Sequence, residues 1–108
     1  MGYVYLLLEV NQHGEEIHKI GISKNNPEKR IKQLQTGNPN VIRLLHVYES
    51  PNYKRIEQWL HARYSNLKTD AKNEWFRLTD NDVIEFKKTC NKTDETIKFL
   101  LKENHFFK

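Results

Sequence analysis

Glu57 places a carboxylate on an apolar helix face. At about 100° per residue, Tyr53, Leu60 and Tyr64 all fall within roughly 60° of it on the helical wheel. An ionised carboxylate inside such a stripe is costly unless a cation, a donor or a metal compensates. Two compensations fit: a structural pair with a nearby Lys or Arg, or a hard divalent cation in a cleft, since such cations take oxygen ligands. Arg30 stands at the edge of the stripe formed by Pro27, Ile31 and Leu34. Its planar fork suits phosphate, although a surface arginine lying along its own stem gives the same pattern. Tyr5 and Lys19 by default are a packing residue and a solvated lysine. Side by side they do more, because a phenol beside an ammonium loses its proton more readily and can serve as a general base below its usual pKa of about 10.

Placing these groups together requires particular elements. Tyr3 to Val10 and Glu16 to Ser23 are rich in β-branched and aromatic residues, and Asn11-Gln12-His13-Gly14-Glu15 between them is turn-forming, which predicts a β-hairpin. Alternation puts Val4, Leu6, Leu8 and Val10 on one face and Tyr3, Tyr5, Leu7 and Glu9 on the other. Matching apolar faces across the pair gathers Tyr5, Lys19, Gly21 and Ser23, since a one-residue slip would invert every side chain. Gly21 beside Tyr5 leaves room for a backbone or a ligand to approach. Asn26-Pro27 starts a helix that stops at Gly37, with Pro39 beyond. Val41 to Glu49 reads as a third strand, and Ser50-Pro51 opens a longer helix to about Asn66. Lys68 to Asn73 is a polar loop, and Glu74 to Leu78 is a short apolar return to the core. Thr79-Asp80 caps a helix to about Cys90, and Asp94 to Glu103 forms a last amphipathic helix. The expected fold class is α+β: a small three-stranded antiparallel sheet flanked by helices, with a β-β-α-β-α core and a C-terminal helical extension. The expected organisation is a core over residues 1–78 and a helical extension over 79–108 packed on the same domain.

Composition sets the bounds. The 108 residues are about the size of one domain, with 37% hydrophobic and 30% charged residues, polar but not disordered in type. No apolar run approaches the roughly 20 residues that cross a bilayer. The single Cys90 excludes an internal disulfide and a Cys-pair zinc site, which suits a reducing cytoplasm. The formal charge of +4 permits a polyanionic partner without demanding one.

The ordered segments Tyr3-Val4-Tyr5, Lys19-Ile20-Gly21, Arg30 and Glu57 resemble the GIY-YIG nuclease superfamily. They are especially similar to a compact phage and bacterial branch whose second motif reads Lys-Ile-Gly. Leu34 to Pro39, Glu57-Gln58-Trp59-Leu60-His61 and Glu74-Trp75-Phe76 add to the likeness, which covers about residues 3–78. There are departures. Tyr3 replaces the glycine of the first motif, with Gly2 one position early. Lys19 stands where most members have a second tyrosine, and Leu34 stands where a histidine often follows the arginine.

The resemblance implies a metal-dependent endonuclease that cleaves double-stranded DNA to leave 5′-phosphate and 3′-hydroxyl ends, using one divalent cation, Mg2+ or Mn2+. It implies that Glu57 holds the metal, that Arg30 steadies the scissile phosphate, and that Tyr5 helps activate water or position the phosphate. Either Tyr5 or Lys19 then serves as general base. His61, one turn beyond Glu57, either assists the site or caps the core. Ser23 either orients a neighbour or is a strand-end hydroxyl, and Asn73 stands near where the family often has an asparagine. The competing readings are a non-catalytic DNA-binding module and a protein-interaction domain on the same fold. Keeping Tyr5, Arg30 and Glu57 together favours the enzyme, since a pure binder has little use for a carboxylate beside phosphate. Lysines of the tail alternate with acids, which predicts a solvated surface and weak, salt-sensitive recognition of backbone or shape.

Overall fold

The computed structural model describes residues 1–69 and 74–103. Strands β1 (Gly2–Val10) and β2 (Glu16–Ser23) form the expected antiparallel hairpin, and the Asn11 side chain accepts from the backbone N–H groups of His13 and Glu15 at 2.8 and 3.0 Å to hold the turn. Tyr5 stands opposite Gly21, Leu7 opposite Lys19 and Tyr3 opposite Ser23, as alternation requires. Helix α1 (Glu28–Gln35) begins where Asn26 accepts from the Glu28 N–H at 3.0 Å, and it ends against Gly37, whose φ of 80° is left-handed backbone that glycine adopts without strain. Strand β3 (Val41–Ser50) returns to pair antiparallel with β1 on its other side.

The sheet has four strands, not the expected three. Trp75–Phe76 forms a short strand β4 against His18 and Lys19 of β2, so the order is β3-β1-β2-β4. Two residues are too few for alternation to show in a sequence, and the pairing is supplied by the strand it meets. A β-bulge also interrupts β3. Leu6 pairs with His46 and Leu7 with Leu44, so Leu45 is the extra residue. The bulge lets Leu45 and His46 face the same side. There Leu45 joins the main core, while His46 donates its Nε2–H to the Val83 carbonyl at 3.0 Å.

Helices cover both faces of the sheet. On one face Tyr5 and Leu7 pack with Ile31 of α1, flanked by Ile42, Leu44, Val47 and Trp75. On the other, Val4, Leu6 and Ile20 pack beneath helix α2 (Tyr53–Arg63), through Ile56 and Leu60, and beneath a long C-terminal helix, through Phe86, Cys90 and Ile97. Ser50 stands ahead of α2, accepting from the Asn52 N–H at 3.0 Å, and the helix begins at Tyr53, two residues later than the Ser-Pro pair suggests. It ends at Arg63 and is followed by a 3-10 turn over Ser65–Leu67.

The helical tail is divided differently from expectation. Thr79 and Asp82 form a reciprocal capping box that starts α3 (Asp80–Ile84). The chain then breaks at Glu85, and α4 runs unbroken over Phe86–Glu103. Asn91-Lys92-Thr93 contains neither glycine nor proline to stop a helix, so the separation expected between Cys90 and Asp94 does not occur.

Asp94 therefore lies inside a helix, and it is only 2% exposed. Tyr48 of β3 donates to it at 2.8 Å, Asn52 donates at 3.0 Å from the start of α2, and Lys98 lies 3.6 Å away. Burial alone would raise its pKa, but the hydrogen bonds from Asn52, Tyr48 and Ser50 and the Lys98 charge outweigh burial and hold the carboxyl below its ordinary value. The linkage has one sign: the contribution is complete above the unfolded carboxyl's value of 3.8 and is lost as pH falls through the depressed native value. Asp94→Asn is expected to destabilise the fold by about 2–3 kcal/mol at neutral pH. Urea unfolding through the acid range should show the gap between the two proteins closing below 3.8. A gap that stays constant through that range would refute the charged network.

Candidate nucleic-acid interface

The short β4 strand determines where a site can form. It pairs with His18 and Lys19, and just before it the Glu74 carbonyl accepts from the Ile20 N–H at 3.3 Å. His61 of α2 donates its Nε2–H to the Ile20 carbonyl at 2.9 Å, and its ring meets Phe76 edge-on, with centroids 5.1 Å apart. That bond fastens α2 to β2 at the residue next to Lys19, one helical turn from Glu57. His61 is thus held as a clamp, and its Nε2 is committed to backbone.

Three of the four principal sequence candidates meet in one cavity of about 210 Å3 between β1, β2 and α1. Tyr5 and Lys19 line it from the sheet, Arg30 lines it from α1, and Trp75 and Asn38 close its sides. The Tyr5 side chain is only 6% exposed, lying over Gly21 so closely that a Cβ built there would be 2.5 Å from Tyr5 Cζ and Oη. Arg30 is solvent-exposed and makes no ion pair among the described residues, so its fork is available to an anion.

Glu57 does not line this cavity; it stands on α2, which packs on the other face of the sheet. It is half-buried at the β2 edge, close enough to Lys19, Glu74 and His61 to feel their charges. Burial raises its pKa first, the His61 and Lys19 charges act to lower it, Glu74 acts to raise it, and the net direction is upward. Lys19 links the two parts: its ammonium lies 3.5 Å from Glu74, its side chain is 27% exposed, and it borders the Tyr5–Arg30 cavity. Ser23 stands opposite Tyr3 at the strand end and does not reach the cavity lining. Asn73 lies outside the described residues.

Two residues had not been assigned to the site from sequence. Glu74 enters as the partner of Lys19, from a loop whose spatial neighbour only folding reveals. Glu9 lines the cavity at 7% exposure. Its position was legible, since alternation sets it on the Tyr5 face, but nothing in its local sequence distinguished it from a solvated strand residue.

Among the described residues no group of three or more His, Cys, Asp or Glu side chains is placed to hold an ion. Glu57 and Glu74 are the carboxylates near Lys19, oxygen donors of the type that a hard cation takes.

A T5orf172 domain family model matches residues 2–91, and the chain belongs to that family. The match corrects the likeness drawn from the motifs: the T5orf172 domain is a distinct family, and no GIY-YIG family model matches. The family's nuclease-like, DNA-binding character fits a DNA partner in general. No curated protein and no solved structure matches the chain. Among the described residues no helix is long and apolar enough to cross a membrane.

The closeness of Tyr5 to Gly21 gives a direct test of the site's geometry. Gly21→Ala is expected to destabilise the protein by about 1–3 kcal/mol through overpacking. In a Tyr5→Ala background the same change should cost almost nothing, so a denaturation double-mutant cycle should show strong coupling. Independent, additive effects would mean that the ring does not occupy that space.

Proposed function

We propose that this T5orf172 domain is a metal-dependent DNA endonuclease acting at the Tyr5–Lys19–Arg30–Glu57 edge of its sheet. The observation that carries the proposal is the meeting of Tyr5, Lys19 and unpaired Arg30 around one cavity, with Glu57 close enough to feel the Lys19 charge. Arg30 takes two non-bridging oxygens of the scissile phosphate and offsets the charge that grows there. Glu57 holds a single divalent cation, Mg2+ or Mn2+, which when bound supplies further stabilisation of that charge. Lys19, paired with Glu74, acts as a fixed cation beside the phenol and not as the base. Tyr5 orients the attacking water, which gives up its proton to solvent as its oxygen bonds to phosphorus. The bond from phosphorus to O3′ breaks, giving a 5′-phosphate and a 3′-hydroxyl whose proton comes from solvent. His61 keeps the Glu57 helix at its distance from β2 through the Ile20 carbonyl.

One observation favours a second reading. The lack of a three-ligand cluster among the described residues suits a non-catalytic module that binds DNA through the same cations. The two readings separate on supercoiled plasmid. With Mg2+ or Mn2+ the wild-type protein should nick it, a chelator should abolish nicking, and Glu57→Ala or Arg30→Ala should lower the rate about 100-fold or more. Because burial raises the Glu57 pKa, the acid limb of the rate profile should lie above 4.5. If wild type and Glu57→Ala shift plasmid equally in a gel and neither nicks it, the binding module is the correct reading.

A further inference from the structure

We propose that the cleft between the end of α2 and the α3–α4 junction is a second phosphate subsite, which takes a backbone phosphodiester of the DNA engaged at the sheet edge. The cleft has a volume of about 280 Å3. Arg63, the last residue of α2, stands on one wall, and Lys88, Thr89, Lys92 and Thr93 stand on the other, along one face of α4. The inference rests on the DNA-directed reading above but on none of the residues proposed for hydrolysis.

The charges in the cleft are not evenly free. Its lining holds three cations and two carboxylates, Asp82 and Glu85. Asp82 is occupied in the capping box, accepting from the Thr79 N–H at 3.0 Å. Glu85 faces Lys88 at 4.0 Å. The Arg63 guanidinium lies at the cleft wall over the Tyr64 ring, its central carbon 5.8 Å from the ring centroid. A guanidinium has five N–H donors to offer an incoming anion. Lys92 makes no ion pair among the described residues, and two threonine hydroxyls lie beside it. An arginine, an unpaired lysine and neighbouring hydroxyls are what a tetrahedral oxyanion needs.

The placement fits one strand of a duplex. Glu57 and Arg63 are six residues apart on α2, about 9 Å at 1.5 Å per residue. Successive phosphates of one strand advance by about 3.4 Å along the duplex axis, so a strand running along α2 would cover that rise in roughly two to three nucleotides. Tyr64 and His61 both pack on Phe76, at centroid distances of 6.4 and 5.1 Å, so the wall of the cleft and the clamp beside Glu57 are held by a single ring. The family match ends at residue 91, so Lys92 and Thr93 come from the continuation of α4 beyond it.

The test is a salt titration of duplex binding by fluorescence anisotropy in a chelator, so that no cleavage intervenes. Each phosphate contact contributes about 0.9 to the slope of log affinity against log salt. Lys92→Gln, whose side chain is exposed, should weaken binding several-fold and lower the slope by about one; Arg63→Gln should do the same. Lys102→Gln removes an equal charge farther along α4 and should change neither quantity. The subsite is overturned if the Lys92 and Arg63 variants keep the wild-type slope, or if Lys102→Gln lowers it equally. Plasmid nicking by the same variants separates the two proposals. Nicking that depends on Glu57, with slopes unchanged by Lys92→Gln, leaves the hydrolysis reading standing and removes the subsite. Slopes that fall while wild type nicks nothing keep the subsite and remove hydrolysis. A wild-type protein that does not bind duplex removes both.

Discussion

The Tyr5 ring over Gly21 is the contact on which the site depends. β1 is the inner strand, paired with β2 on one side and β3 on the other, so its register fixes the positions of everything around it. An aromatic ring that lies flat over a neighbouring strand needs a residue without a side chain beneath it, and only Gly21 meets that need along β2. The alternative registers fail for two independent reasons. A slip of one residue turns Leu6 and Ile20 away from the core, and a slip of two brings a side chain beneath the ring. The hydroxyl is thereby directed to the cavity by backbone pairing, and no flexible loop is needed to hold it there.

The same economy appears in how a polar chain closes its core. Both faces of the sheet are covered, yet the side facing α1 is thin, with Ile31 its only fully buried helical residue. The thick side, beneath α2 and α4, contains the large buried rings Phe76 and Phe86 and carries most of the hydrophobic stabilisation. Asp94 orients that side. A buried carboxylate adds little net stability compared with a well-packed apolar residue, but its hydrogen bonds to Tyr48 and Asn52 can be made at one rotation and one height of α4 only. The long helix is thus located by a polar network and held by apolar packing. Cys90, one turn earlier on the same helix, is buried beside that network, and burial pushes its thiol up to about 12, so it serves as a small apolar residue.

What could be read from the sequence was whatever is set by local chemistry. The hairpin and its faces follow from alternation, and the start of α1 follows from Asn26 and its end from Gly37. Glu57 was legible as an anomaly on an apolar stripe, and burial does perturb it. The features that were hidden depend on partners far along the chain. β4 is a strand only because β2 offers an unpaired edge, and the bulge at Leu45 exists because two neighbouring side chains are both needed toward α4. Glu74 becomes part of the site through that same β4 pairing. The continuity of α4 across Asn91-Lys92-Thr93 is hidden in a polar stretch of sequence, because the Asp94 side chain finds its partners across the fold in Tyr48 and Asn52. Motif likeness was less reliable than geometry: it identified residues that do come together, while the family it suggested is not the one whose model matches.

Charge placement around Lys19 explains why these residues form one site and not two. Lys19 lies between the Tyr5–Arg30 cavity on one side and the Glu57–Glu74 carboxylates on the other. Without a cation at that point, two carboxylates at the β2 edge would repel an approaching phosphate before Arg30 could reach it. With it, the edge is locally balanced, and the exposed guanidinium is left as the feature that an anion meets first. The ion pair itself is too exposed to contribute much to stability, so its value lies in setting the field. In the hydrolysis proposed above, an anion drawn to Arg30 would lower the positive potential around the site and so favour a cation at Glu57, whose carboxyl burial otherwise biases toward its neutral form. Anion and cation would then assist each other across Lys19.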